Sequence, residues 1–426
     1  MMENQGQIAN KSQTLNSNEG GMRLAIRYVI PARWIEYNPL ALIDELTEAK
    51  AGVMSLKKIP YQREWAAELE QMQLKREVAG TSKIEGADFT ERELDIALRE
   101  SPEQLVTRSQ KQARAALETY RWIATLEEDR PITADLIREI HRRIVRGADD
   151  DHCEPGAIRR QDSNVTFGAP RHRGANGGDE CASAFDALVQ AAVTEYRDHD
   201  PLIQALALHY HFAAMHPFQD GNGRTARALE ALMLGRAGLR DSLFIAMSNF
   251  YYDEKDAYLR ALSEVRAGGY DLTPFLKLGL KGIATQCFRL FAEIRNQVSK
   301  ALFRNVMYDL FDRLQSTRRR VIAKRQIQIL KVLLRRDTID MHELWRELFE
   351  ANYKPLKDGW KAYIRDIVNL DELEALRLRR DNSSDGKKPR FFLQIRLEWA
   401  TEVTETTFFE QAKKLPKAKT GMFLQG

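Results

Sequence analysis

Apolar residues recur three and four positions apart along most of this chain. In NPLALIDELTEAKAGVMSL (38–56), REWAAELEQMQLKREVAG (63–80), TERELDIALRE (90–100) and RSQKQARAALETYRWIATLEE (108–128), that spacing predicts amphipathic helices. PITADLIREIHRRIVRG (131–147) adds start and stop signals, a Thr133 cap and a closing Gly147. Further helices are expected over 179–200, 201–218 and 225–239. One stretch breaks the period. EPGAIRRQDSNVTFGAPRHRGANGG (154–178) is rich in Gly, Pro and Asn, with the β-leaning piece VTF inside it. It reads as a hairpin or structured loop, long enough to suggest function. Helical spacing resumes over 290–315 and ends at the basic run STRRRVIAKRQ. Three shorter helices (325–337, 341–352, 357–370) and two strands (373–381, 390–400) around NSSDGKKP then outline a winged helix.

Length and composition narrow the class. With 426 residues, 43% hydrophobic and 30% charged, the chain is expected to be a soluble protein of two or three domains. No apolar run approaches membrane-spanning length. The first 21 residues are polar, lack an apolar signal core and read as a disordered lead-in. Cys153, Cys181 and Cys287 are scattered, with neither a disulfide framework nor a metal spacing. A cytoplasmic protein is expected. The net charge is only +4, yet residues 318–400 hold 20 basic against 13 acidic side chains. Such an excess marks either a nucleic-acid partner or a solvated face.

The chemistry concentrates in HPFQDGNGRTAR (216–227). A helix opening just after GNGR presents free backbone amides and a positive dipole end. Gly221 and Gly223 let the backbone approach an anion closely, so successive amides form a nest for phosphate. Arg224 and Arg227, three apart on the first turn, reach one polyphosphate. Asp220 on the lip is a hard oxygen ligand suited to Mg²⁺ held jointly with phosphates. His216 is a candidate general base toward a hydroxyl, and Phe218 an inward anchor.

These residues match the Fic signature H-x-F-x-(D/E)-G-N-G-R-x-x-R at every specified position, so the chain resembles the Fic family. LALHYHFAAMHPF (206–218) resembles the family's lead-in helix, and PGAIRRQDSNVTFG (155–168) its flap, a hairpin that holds a target segment by strand addition. PARWIEYNPL (31–40) opens an extension similar to that before many Fic cores. The resemblance implies an all-α fold with a small β-hairpin flap and a C-terminal winged-helix domain. The expected divisions are a lead-in (1–22), an N-terminal helical extension (23–128), a Fic core (129–290), a linker helix (291–317), the winged helix (318–400) and a ragged tail (401–426). It further implies transfer of AMP from ATP, with Mg²⁺, to a Ser, Thr or Tyr hydroxyl of a protein, the chain itself included. His216 would take the hydroxyl proton and Asp220 would hold the metal. Asn222 and the amides of Gly221, Gly223 and Arg224 would bind phosphate oxygens, and Arg227 would grip the γ-phosphate. A homodimer is expected as well.

TSKIEG (81–86) fits the family's inhibitory pattern, with Thr81, Glu85 and Gly86; by itself Glu85–Gly86 is also a plain helix end. The resemblance implies that Glu85 pairs with Arg227 and denies it to the γ-phosphate. Val165, Thr166, Phe167 and Gly168 fall in the expected flap, to clamp target or nucleotide. Tyr258 falls where relatives place an aromatic near the adenosine. Where relatives carry an Asn for the nucleotide, this chain has Glu264 and Arg266. His209 and His211, two apart on a helix, point to different faces and read as packing residues. In the winged helix, Lys357, Lys361 and Arg365 are expected along one helix face and Lys387, Lys388 and Arg390 in the wing, a surface for DNA or for protein. Two other readings stay open: a DNA-binding regulator whose Fic core senses nucleotide, and a Fic enzyme that moves another group or removes AMP.

Overall fold

A computed structural model describes residues 26–87, 90–100, 104–149, 151–161, 165–167, 172–314, 317–381 and 390–415. The chain forms two compact units, Met1–Lys58 with Gln62–Leu290, and Ile59–Tyr61 with Phe291–Gly426.

The first unit is built of helices in chain order: α1 (Ile43–Lys58), α2 (Arg63–Ile84), α3 (Glu91–Arg99), α4 (Arg108–Ala124), α5 (Ala134–Val145), α6 (Asp179–Val193), α7 (Pro201–Met215), α8 (Asn222–Arg236), α9 (Met247–Asp253), α10 (Lys255–Ala267) and the part up to Leu290 of α11 (Thr273–Asp312). Local signals set several of the ends. Thr107 and Gln110 form a reciprocal capping box at α4, and Thr133 caps α5 through the Leu136 amide. Asp200 accepts from the Leu202 amide and Pro201 takes the first position of α7.

α7 is the central element. Its residues from Ala205 to Met215 are buried on every face, as its nearly unbroken apolar sequence demands. It packs against α6 and α8, and α5 packs on both of those. α2 lies on α9 so closely that a Cβ on Gly80 would meet the Ser248 carbonyl carbon at 2.4 Å. Only glycine permits that backbone approach, which explains a glycine in mid-helix despite its cost of about 1 kcal/mol.

The broken stretch contains a small sheet. β2 (Thr166–Phe167) pairs antiparallel with β3 (His172–Arg173), and β1 (Ile26–Arg27) joins the other edge of β3 in parallel. The expected hairpin is therefore present, with a third strand supplied from far up the chain. Gly168 lies outside the described residues.

The second unit runs α12 (Thr317–Arg336), β4 (Thr338–Asp340), α13 (Met341–Leu348), α14 (Gly359–Glu372), β5 (Leu376–Asp381) and β6 (Arg390–Ile395). The sheet is antiparallel in the order β4-β6-β5, with Leu393 opposite both Ile339 and Leu378. Its core holds Leu330, Leu333, Leu344, Tyr363 and Leu370. Inside it Arg325 meets Asp366, which also accepts from the Tyr353 hydroxyl at 3.1 Å. Three expectations change here. The sheet has a third strand, β4, too short to show a period. Lys357 is not on the helix of Lys361 and Arg365, because Asp358 caps α14 through the Lys361 amide. Part of the tail is ordered: α15 (Trp399–Glu402) and α16 (Glu405–Lys414) bury Trp399 and Phe408, the latter 5.2 Å from Phe311. Lys387 and Lys388 lie outside the described residues.

Candidate active site

His216 caps the C-terminus of α7 in the left-handed conformation, φ 56° and ψ 59°. A non-glycine residue holds that geometry only where its surroundings enforce it. Three consecutive carbonyls supply the enforcement. The Ala175 amide donates to Met215 O at 2.9 Å, Arg159 Nε to His216 O at 2.7 Å, and the Arg159 amide to Pro217 O at 3.0 Å. The His216 ring places Nδ1 at 3.0 Å from Ala213 O. A carbonyl only accepts, so Nδ1 carries the proton and Nε2 keeps a lone pair. Burial pushes the ring's pKa down to about 4, so it stays a neutral base at physiological pH.

The turn that follows is folded by its own side chains. Asn222 accepts from the Phe218 amide at 2.9 Å and donates to Phe218 O at 2.8 Å, closing the loop at both ends. The Asn222 side chain thus shapes the nest, a role its position in the motif did not reveal. Phe218 is fully buried and stacks on His141 with centroids 3.8 Å apart. Gly221 adopts φ 75°, and a Cβ there would sit 2.7 Å from Val145 Cγ1. Gly221→Ala is expected to cost about 1–3 kcal/mol of stability, read from urea unfolding. α8 then opens with no side-chain cap on its first amides, at the cavity's edge.

The two motif arginines part company. Arg224 is buried and donates to Asp149 Oδ2 at 2.6 Å. Asp149 also takes Arg108 Nε at 2.8 Å and Gln112 at 2.9 Å. Arg108 Nη2 reaches on to Asp220 Oδ2 at 3.2 Å, while Asp220 Oδ1 accepts from the Gly221 amide at 2.6 Å. Asp149, Arg108 and Gln112 are functional neighbours that sequence reasoning missed. No spacing rule links residue 108 or 149 to residue 224; only the packing of α4 and α5 brings them there.

Arg227 faces α2 instead. Nε donates to Thr81 Oγ1 at 2.8 Å, and Nη2 to Thr81 O at 3.2 Å and Glu85 Oε1 at 2.6 Å. Glu85 is the C-cap of α2, and Gly86 at φ 89° closes a Schellman turn in which Ala87 donates to Ser82 O and Gly86 to Lys83 O. The helix-ending and arginine-pairing readings are both realised. The turn is what aims Glu85 at α8: its Oε1 lies 2.3 Å from where a Gly223 Cβ would be. Burial raises the Glu85 pKa, but Arg227, with Arg224 and His216 behind it, outweighs that and holds it below the usual range.

His216, Asp220, Gly221, Asn222, Gly223, Arg227 and Glu85 line one cavity of about 340 Å³, together with Val165, Tyr258 and Arg266; Arg224 and Asp149 are not among its lining. Thr166 is exposed, and Val165 accepts from the Gly174 amide at 3.2 Å. Phe167 is placed only as a strand residue of β2. Arg266 donates to Ala214 O at 3.1 Å. His209 and His211 are both fully buried; His211 meets Trp34 O at 2.6 Å, and His209 meets Glu230 and Tyr258. The donor set suits a magnesium ion of one kind. Among the described residues no three His, Cys, Asp or Glu cluster as a cage, whereas a single half-exposed carboxylate, Asp220, fits an ion shared with phosphates and water.

Residues 131–234 match the Fic/DOC family. Over that stretch the chain is similar to Fic domains. Protein adenylyltransferase fic-1 of Caenorhabditis briggsae is 31% identical over 154 residues, 35% of this chain and 27% of that protein. Protein adenylyltransferase Fic of Nematostella vectensis is 29% identical over 158 residues, 36% of this chain and 32% of that one. The chain therefore spans about a third or less of these relatives' length. Among solved structures, a Fic family protein from Desulfovibrio desulfuricans G20 aligns with a TM-score of 0.52 at 17% identity, over 85% of this chain and 98% of that one. A fragment of Fic-1 from C. elegans gives 0.51 at 20% identity, over 61% and 74%. These likenesses are of fold. No helix among the described residues is long and apolar enough to cross a membrane.

Burial also fixes how the first unit responds to acid. His141, His172, His211 and His216 each have their pKa pushed down to about 4, chiefly by desolvation. His141 shows the cost of a proton: its Nδ1 accepts from the Gly156 amide at 2.8 Å and could not do so once charged. The unfolded chain binds protons near pH 6.5 that the folded chain refuses until about 4. Stability is therefore present above pH 6.5 and lost as pH falls toward 4. Calorimetry should show a level melting temperature from pH 8 to 7 and a steep fall below 6.5.

Proposed function

We propose that this chain transfers AMP from ATP to a hydroxyl of a protein, its own included, and that Glu85 holds the activity down. The observation that carries the reading is the His216 ring: its Nε2 is left basic by the Nδ1 contact with Ala213 O, in the same cavity as the uncapped start of α8. The relatives' names and the match over 131–234 support the same chemistry.

The N-terminus of α8 receives the phosphates, and Arg227 the terminal one. His216 Nε2 takes the proton from the attacking hydroxyl. The oxygen forms a bond to the α-phosphorus as the bond to the bridging oxygen breaks, and pyrophosphate leaves. Asp220 is the residue that would hold Mg²⁺, which when bound neutralises phosphate charge. Arg108 now shares that carboxylate. Positioning and fixed charge supply most of the acceleration in such transfers. The flap hairpin, β2–β3, offers a strand edge for the target segment.

In this reading residues 23–128 carry the brake and 129–290 the catalytic core. The helix–strand–helix–helix–strand–strand order of the second unit supports a winged helix over 318–400. Incubation of Glu85→Gly protein with labelled ATP, GTP, CTP and UTP, followed by mass spectrometry of the adduct, tests the reading. No nucleotidyl adduct on any protein, with folded enzyme, overturns it.

A further inference from the structure

Two turns before Glu85, α2 carries a second carboxylate, buried where the transfer chemistry has no use for it. Glu77 is almost inaccessible to solvent, as are Tyr120 on α4 and Ser248 in the first turn of α9. Glu77 Oε2 accepts from the Ser248 amide at 2.8 Å. Its Oε1 accepts from the Tyr120 hydroxyl at 2.8 Å and from the Ser248 hydroxyl. Three donors from two helices thus converge on one side chain. One turn further along, the backbone of Gly80 lies against Ser248 and Asn249.

Glu77, Thr81 and Glu85 stand four apart, so they share one face of α2. The first meets α4 and α9; the other two meet Arg227 on α8. An apolar side chain at 77 would pack there without the cost of burying a charge. What apolar contact does not supply is direction. Hydrogen bonds weaken steeply once bent or stretched, so three of them on one carboxylate fix both the height and the rotation of the helix. That precision matters at the other end: Glu85 Oε1 lies 2.6 Å from Arg227 Nη2, and a shift of about 1 Å would break the bond. Burial pushes the Glu77 pKa up to about 7 while its donors draw it back, so the carboxylate is mostly ionised at pH 8.

We propose that Glu77 is the anchor of the brake, a positioning residue that fixes the register of α2 against α4 and α9 so that Thr81 and Glu85 reach Arg227. The proposal rests on the transfer reading above and deepens its regulation: Glu85 blocks the site, and Glu77 decides whether Glu85 is there to block it. Glu77 touches neither Arg227 nor the cavity, so its effect on transfer passes through α2 alone. Gly80's close approach and the Lys255 contact with Ile84 O at 3.2 Å also hold the helix, so loss of the anchor relieves the brake only in part.

The experiment is a double-mutant cycle on the full chain at pH 8, reading labelled AMP incorporation and calorimetric affinity for ATP. Glu77→Gln keeps the shape and turns one acceptor into a donor that faces donors. With Glu85 present, Glu77→Gln is expected to raise both transfer and ATP affinity by about threefold to tenfold. In the Glu85→Gly background it should change either by less than twofold, because there is no brake left to aim. Tyr120→Phe removes a single donor and should act in the same direction more weakly; it carries the comparison if Glu77→Gln does not fold. Leu188→Ala, a core change on α6, shows what lost stability alone does, and should not raise transfer. An equal effect of Glu77→Gln in both backgrounds would place its action on the core, and a rise matched by Leu188→Ala would show general loosening; both overturn the anchor. If Glu85→Gly raises transfer while Glu77→Gln and Tyr120→Phe with Glu85 present do not, the anchor fails and the brake stands. If Glu85→Gly itself raises nothing, the brake of the transfer reading fails, and the anchor with it.

Discussion

Glu85→Gly is expected to raise AMP transfer by on the order of tenfold to a hundredfold, the range of a coupling energy of about 1–3 kcal/mol between a brake and its site. Two effects add. The Glu85 carboxylate lies over the first turn of α8, within 2.3 Å of a Gly223 Cβ position, where an arriving phosphate would meet a like charge. It also occupies Nη2 of Arg227 at 2.6 Å, neutralising the cation that should attract the triphosphate tail. Removing it opens the amides and frees the arginine together. The same change has a cost. Arg227 is 2% exposed, and stripping its anionic partner leaves a buried charge held by neutral Thr81 oxygens. The variant should therefore melt below wild type without nucleotide and regain stability with ATP. Glu85→Gln keeps the shape and removes the charge, and should fall between the two. Incorporation of labelled AMP and thermal melts with and without ATP read both halves. Equal labelling by wild type and Glu85→Gly ends the idea of a brake.

Why the Glu85–Arg227 pair is legible while its neighbours are not is a matter of sequence distance. TSKIEG announces itself because a Schellman turn needs a glycine at one fixed offset, and the residue just before it is carried on the last helical turn. HPFQDGNGRTAR is legible for the same reason: every group that makes the nest lies within one loop and one turn of helix. Asp149 is different. It meets Arg108, Gln112 and Arg224 because three helices converge, and nothing local marks it among the acids of 149–151. His209 shows the limit from the other side. Its sequence setting, Leu-His-Tyr-His in an apolar helix, reads as packing, and it is fully buried. Its partners Glu230 and Tyr258 arrive from α8 and α10, so its hydrogen bonds exist only in the folded chain. Strand β4 and the buried Phe408 escaped notice for want of length: three residues show no period, and one aromatic in a polar tail carries no pattern.

His216→Ala is expected to abolish transfer to within measurement, a loss of about 10²–10⁴-fold, while leaving ATP affinity nearly unchanged. The split follows from geometry. His216 stands at the C-terminus of α7, whereas the proposed transfer puts the phosphate groups at the start of α8 and against Arg227. Removing the imidazole deletes the acceptor of the hydroxyl proton and leaves the clamp intact. The loop should survive as well, since Arg159 and Ala175 hold the backbone of 215–217 through carbonyls that alanine retains. The left-handed φ of 56° is less favourable to alanine, so a small loss of stability accompanies the change. The pH profile of the parent supplies the second test. Burial holds His216 near 4, so kcat/KM, which reports the free enzyme, should stay level from pH 8 to about 5 and fall only as the ring protonates below that. An unperturbed imidazole would place the fall near 6.5. A break at 6.5 would show a ring that is not desolvated in the working enzyme, whereas a His216→Ala enzyme that still labels its target would remove the ring from the chemistry and leave the α8 nest as a nucleotide-binding site alone.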